Sequence, residues 1–145
     1  MKEYFQKLKY LFSWKDLAFT ALIFVLIIGL AMCKADKIVQ TTFGEDAVDI
    51  VSSRYSMNIP YDMVEHIELA DAVDDSELLN GKGDMAIRTG IWTNEVWGEH
   101  YACLDRDAGN CIVVYLNDGR IFVFSRSNDE ETAADFEMFQ SYLNR

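Results

Sequence analysis

Glu99–Leu143 reads EHYACLDRDAGNCIVVYLNDGRIFVFSRSNDEETAADFEMFQSYL, and its periodicity changes part-way along. Two apolar-rich runs, Glu99–Leu104 and Cys111–Leu116, flank the polar sequence Asp105-Arg106-Asp107-Ala108-Gly109-Asn110, which suits a hairpin connection. Leu116 and Arg120 then bracket Asn117-Asp118-Gly119, and Asp-Gly tolerates the positive φ of a tight turn. Ile121–Phe124 closes the strand-like series. Beyond it, Ser127 with Glu130 three residues on has the form of a capping box, and Asp129, Glu130 and Glu131 favour a helix N-terminus. Ala133, Phe136, Phe139, Gln140 and Leu143 follow at helical spacing. The stretch predicts strands ending in one amphipathic helix.

Upstream, the strand pattern continues. Ala47–Val51 alternates, as do Tyr55, Met57 and Ile59, until Pro60 ends the run because it cannot donate to a ladder. Met63–Leu69 reads as a third strand, with Val64, Ile67 and Leu69 apolar. Asp71–Gly83 is acidic and turn-like, with Asn80-Gly81-Lys82-Gly83 read as a turn. Met85, Ile87 and Thr89 recur at period two, and the segment from Gly90 to Gly98 holds Trp92 and Trp97. About seven short antiparallel strands at this spacing predict an orthogonal sandwich or barrel, with the C-terminal helix plugging one open end.

The N-terminal third has a different character. Leu17–Cys33, LAFTALIFVLIIGLAMC, is free of charge between Asp16 and Lys34, and seventeen residues at about 1.5 Å each approach the thickness of a hydrocarbon core. A transmembrane helix over 17–33 is expected, with Trp14, Lys15 and Lys34 at the membrane interface. Residues 1–16 place Tyr4, Phe5, Leu8, Leu11 and Phe12 at three- and four-residue steps, the stripe of an interfacial helix. Lys2, Lys7, Lys9 and Lys15 precede the span and only Lys34 and Lys37 follow closely, which predicts a cytoplasmic N-terminus and an extracytoplasmic C-terminal domain. Two competing readings fit less well. Leu30-Ala31-Met32-Cys33 resembles a lipoprotein cleavage site, but Met32 is large for the position before the cysteine. Phe19-Thr20 resembles a pilin start, yet Ala18 precedes it and Ile23 stands where such assembly subunits carry Glu. The chain is thus divided into 1–16, the span 17–33, a linker 34–45 and a domain 46–145.

Charge narrows the classes of partner. The 145 residues carry 13 Lys+Arg against 24 Asp+Glu, a net −11, and residues 34–145 alone carry 9 against 22, a net −13. Such a surface repels nucleic-acid phosphates and anionic lipid.

Between Asp46 and Leu143 the sequence resembles the small bacterial pleckstrin-homology-like domains. The resemblance rests on Tyr55-Ser-Met-Asn-Ile-Pro60-Tyr61, Ile67-Glu-Leu, Asn80-Gly-Lys-Gly83, Arg88-Thr-Gly90, the Asn117-Asp-Gly119-Arg hairpin and Ser125–Leu143, taken in order. It implies two nearly orthogonal antiparallel sheets capped by a C-terminal helix, in a family often fused to membrane spans. It implies no particular activity. Phosphoinositide readers of the wider fold place several basic residues on the first hairpin. Here Val51-Ser-Ser-Arg54 holds only Arg54, so phosphoinositide binding is not expected.

Chemical motifs are sparse. His66 and His100 each follow a glutamate, but no metal-ligand spacing surrounds either of them. Asp105-x-Asp107-x-Gly109 opens like a calcium loop, yet Leu116 occupies the position where a bidentate Glu is needed. No serine has a nucleophile-elbow context, so no catalytic residue, metal or cofactor is expected. If the hairpin is centred on Asp107, Cys103 and Cys111 lie opposite each other. They are then either a disulfide or two buried thiols, with Cys33 left as the odd one. Trp92, Trp97 and Tyr101 are either core residues or an aromatic surface for a protein partner. The expected function is a non-catalytic protein-interaction module at the bacterial envelope, with its binding surface around 90–98 or along an exposed sheet edge.

Overall fold

The structure, a computed structural model, describes residues 14–35, 39–52, 55–73, 77–83 and 86–145. The chain divides into two units, Met1–Ala35 and Asp36–Arg145. The first contains helix α1 (Trp14–Ala35). Side chains are described on it from Ala18 to Ile28, all of them exposed, and Phe19, Leu22, Phe24, Val25 and Leu26 are among them. Among the described residues no helix is long and apolar enough to cross a membrane. The ends of the span expected over 17–33, and the side chains of Trp14, Lys15 and Lys34, lie outside the described side chains, and the stripe expected at Tyr4, Phe5, Leu8, Leu11 and Phe12 lies outside the described residues.

The second unit is mainly β with one C-terminal helix, as expected, and its described residues form nine strands rather than about seven. These are β1 (Gln40–Phe43), β2 (Ala47–Ser52), β3 (Tyr55–Pro60), β4 (Val64–Asp71), β5 (Glu77–Gly83), β6 (Ile87–Asn94), β7 (Gly98–Asp105), β8 (Asn110–Leu116) and β9 (Ile121–Phe124), followed by helix α2 (Asp129–Leu143). A single 3-10 turn, Tyr61–Met63, links β3 to β4. The two additional strands come from segments read as linker and turn. β1 emerges from the stem by pairing with β2, and β5 forms from the Asn80–Gly83 region by pairing with β6. Strand pairing rather than local propensity makes both.

The strands form two sheets, β1-β2-β3 and β4-β8-β9-β7-β6-β5. Every pair is antiparallel except β7 with β9, which run parallel through Tyr101↔Phe122 and Cys103↔Phe124. The expected 105–110 hairpin is therefore corrected, because β9 inserts between β7 and β8 and pairs with both. The Asn117–Gly119 turn forms as read. Gly119 has φ +85°, its N–H donates to the Leu116 carbonyl at 2.9 Å, and the Leu116 N–H donates to the Arg120 carbonyl at 2.9 Å.

The main core lies between the two sheets. Val48, Ile50, Met57 and Ile59 from the small sheet meet Cys103, Ile112, Val114, Phe122 and Phe124 from the large one, and Phe139 of α2 closes the cluster. The opposite face of the large sheet buries a second cluster, in which Trp92, Ala102, Leu104, Val113 and Val123 pack with Trp97. Strands buried on both faces explain why CIVVYL and IFVF are near-continuous apolar runs. The buried Arg88 of β6 donates to the Val73 carbonyl at 2.6 Å, so the chain leaving β4 at one edge of the sheet comes back across to β6 near the other.

Helix α2 is capped one residue later than expected. Asn128, not Ser127, accepts the Glu131 N–H at 2.8 Å, and Thr132 Oγ1 donates to the Asn128 carbonyl at 2.8 Å. Its inward side differs from the expected stripe as well. Thr132, Asp135 and Phe139 are buried, with Phe136 and Leu143 packed against the core, while Gln140 is exposed. Asp135 is tolerated inside because Arg126 Nη1 reaches its Oδ2 at 3.2 Å and Thr41 Oγ1 also donates to it. Arg126 in turn bonds Thr41 Oγ1 at 2.8 Å, tying α2 to β1.

Candidate functional site

The aromatic residues expected to present a partner surface are mostly enclosed. Trp92 and Trp97 are buried in the second cluster, and Tyr101 is half-buried with its ring stacked on Phe122 at 4.9 Å. Trp92 lies along the sheet toward Gly83, whose added Cβ would come within 2.9 Å of the indole, and its Nε1 donates to the Thr89 carbonyl at 3.3 Å. Of the two readings left open for these residues, Trp92 and Trp97 follow the core one, packed with Leu104, Val113 and Val123.

Cys103 and Cys111 are both free. With β9 between their strands they stand about two strand spacings apart, near 10 Å, which exceeds the Cα separation a disulfide bridges. They also point to opposite faces, Cys103 into the main core and Cys111 into the second cluster. Of the two alternatives, disulfide or buried thiols, the structure has the buried thiols. Burial pushes the Cys103 thiol up to about 11, opposed by a Ser52 hydrogen bond. It pushes Cys111 up to about 12, with the Asp71 carboxylate adding to the rise.

The histidines are well separated in kind. His66 is exposed, stacked on Tyr115 at 4.2 Å and 3.8 Å from Glu68. His100 is fully buried, edge-on to Trp97, with Nδ1 bonded to the Gly98 carbonyl at 2.8 Å and Nε2 without a partner. Burial pulls its pKa below the ordinary imidazole value, the Gly98 bond opposes that, and the Arg88 charge adds to the lowering. Asp105 ends β7 and Asp107 lies in the β7–β8 connection, where the Asp107 N–H donates to Asp105 Oδ1 at 3.0 Å. The adjacent Gly109 and Asn110 N–H groups are satisfied by Asp129 at 2.7 and 2.9 Å. Burial raises the Asp105 pKa, the Asp107 N–H bond opposes this, and the Asp107 charge adds to the rise. Among the described residues no group of three or more His, Cys, Asp or Glu side chains could hold a metal.

What remains accessible near 90–98 is the turn itself and the strand beside it. Asn94 Oδ1 accepts the N–H groups of Val96 at 3.0 Å and Trp97 at 2.7 Å, and Gly98, at φ +67°, turns the chain into β7. This Asx-type turn directs Trp97 inward and leaves Val96 at the tip, 67% exposed. A cleft of about 500 Å³ opens here, lined by Val73, Glu77, Thr93, Asn94, Glu95 and Val96. Next to it, β5 is an edge strand whose Leu78 and Leu79 are 40% and 51% exposed. The register slips between Leu78 and Asn80, a bulge that re-aims the leucines. Beyond it Gly81 and Gly90 approach so closely that a Cβ on Gly90 would lie 2.2 Å from the Asn80 carbonyl oxygen. Reading Asp71–Gly83 as a turn hid this strand. The period-two run Ile87, Thr89, Ile91, Thr93 marks a strand, and β5 is the partner on its far side from β7.

No family model, curated protein or solved structure matches the chain.

Proposed function

We propose that the protein is a non-catalytic interaction module held at the bacterial envelope by its N-terminal helix, with a β domain of pleckstrin-homology-like type displayed outside the cytoplasm. The observation that carries this reading is the exposure of every described side chain from Ala18 to Ile28, including eight large hydrophobic residues. A helix apolar on all sides suits apolar surroundings, and lipid supplies them. The C-terminal helix packed on a two-sheet body supports the family resemblance. The parallel β7–β9 pair departs from the all-antiparallel plan that the resemblance implies.

Alkaline carbonate extraction tests the anchor, and protease on intact spheroplasts tests the orientation. The protein is expected to stay in the membrane pellet, and a tag placed after Arg145 to be cleaved while a cytoplasmic control survives. Release into the supernatant would remove the anchor. A tag protected until lysis would place the domain on the cytoplasmic side.

A further inference from the structure

We propose that the start of β5, together with the cleft beside it, docks a short extended segment of a partner protein in which basic and apolar residues alternate. This rests on the interaction-module reading and names the partner's chemistry.

The inference begins with the sheet edges. β5 bonds to β6 on one side, and among the described residues no strand bonds to its other side. A free edge offers main-chain donors and acceptors to an added strand. The other edges are guarded. β1 has four residues, β3 ends in Pro60, and β4 exposes Glu65, Glu68 and Asp71 and has α2 packed near it. The start of β5 instead exposes Leu78 and Leu79, and the exposed Val96 stands on the rim of the adjoining cleft.

Charge selects the occupant. The acidic residues Glu77 and Glu95, both exposed, line the cleft together with Val73 and Val96, and among the described residues no Lys or Arg does. Residues 34–145 carry a net −13, so a second copy of the chain, an acidic segment and an anionic lipid surface are all repelled. A lysine or arginine side chain fits between the carboxylates and lays its methylene stem on the valines. In an extended segment, alternate residues face one side, so basic residues directed at Glu77 and Glu95 alternate with apolar residues directed at the leucines. The bulge after Leu78 and the positive-φ Gly81 keep a straight strand from running the whole length of β5. The contact is therefore short and of the transient class.

The test uses the full-length protein in a zwitterionic detergent, with fluorescence anisotropy of a labelled heptapeptide of alternating lysine and valine. A heptapeptide of the same composition with its lysines blocked at one end serves as the comparison. The alternating peptide is expected to bind about tenfold more tightly than the blocked one. Glu77→Gln with Glu95→Gln is expected to weaken it about tenfold, and Leu79→Ser several-fold. Glu65→Gln with Glu137→Gln removes the same charge elsewhere and is expected to change binding less than about twofold. Thermal melts check that each variant is folded.

Equal binding of the two peptides, equal weakening by the two charge-removing pairs, or no binding would overturn the proposal. A photocrosslinking residue in living cells, placed once at position 79 and once at position 68, separates its failure from that of the broader reading. A partner captured at 68 alone would leave an interaction module that uses another edge. Capture at neither position, with no peptide binding, would remove both.

Discussion

The Gly98 carbonyl can only accept, so Nδ1 of His100 carries the imidazole proton and Nε2 is an enclosed lone pair. Protonating Nε2 would place a charge beside Trp97 and in the field of Arg88, and the folded pKa is accordingly depressed. The unfolded chain then binds the proton more tightly, so this contribution to stability is whole above about pH 6.5. It is lost as pH falls below that value and levels off once the folded imidazole also titrates. Denaturant melts at a series of pH values between 7 and 5 should show a shallower acid-side slope for His100→Gln than for the native chain, by up to about 1.4 kcal/mol per pH unit. Parallel slopes would contradict the assignment. The thiols make a second case at this scale. In a Cys33→Ser background, Cys103 and Cys111 should react with a thiol reagent at pH 8 only on unfolding, because burial holds both as neutral thiols. A native mass lacking two hydrogens, restored by reductant, would show a bridge that the topology forbids.

Caps and turns decide where elements begin. Asn128→Ala should cost about 1 kcal/mol, since it deprives the Glu131 N–H of its acceptor. Ser127→Ala should cost far less, and chemical denaturation of the two variants distinguishes the observed cap from the capping box read in the sequence. The glycines separate in the same way. Gly119→Ala meets open space, so only its positive φ is penalised, about 1 kcal/mol. Gly90→Ala has the same backbone problem and also drives a Cβ into the Asn80 carbonyl, so a larger loss is expected, with weakened hydrogen-exchange protection along β5. Equal losses at the two positions would argue that β5 and β6 separate easily.

Across the whole molecule, the net charge predicts electrostatic self-repulsion. With 22 acidic against 9 basic residues in 34–145, and Arg126 and Arg120 already engaged by Asp135 and Asp118, the folded domain concentrates negative charge. Raising sodium chloride from low to near-physiological strength shortens the screening length to about 8 Å. It should raise the melting temperature by a few degrees, on the order of 1 kcal/mol for a domain of this size. A flat or falling dependence would mean that local ion pairs outweigh the net charge.

The sequence by itself determined what is written in short-range patterns. It determined the apolar N-terminal stretch, the acidic bias, the β character of 47–69 and 87–124, the Asn117–Gly119 hairpin and the existence of α2. Each follows from periodicity, from a turn residue's φ or from a run of one sign of charge, all local properties. Only tertiary structure decided the insertion of β9 between β7 and β8. Hairpin signals describe neighbours along the chain, and the parallel β7–β9 pair is bonding between strands that are not consecutive. That single insertion turned the expected Cys103–Cys111 pair to opposite faces of the sheet and left both thiols buried. The accessible site was hidden for a related reason. Leu78 and Leu79 lie in a segment that is acidic and glycine-rich by composition, and they become a sheet edge by pairing with Ile87–Asn94, a contact between segments that no local pattern encodes.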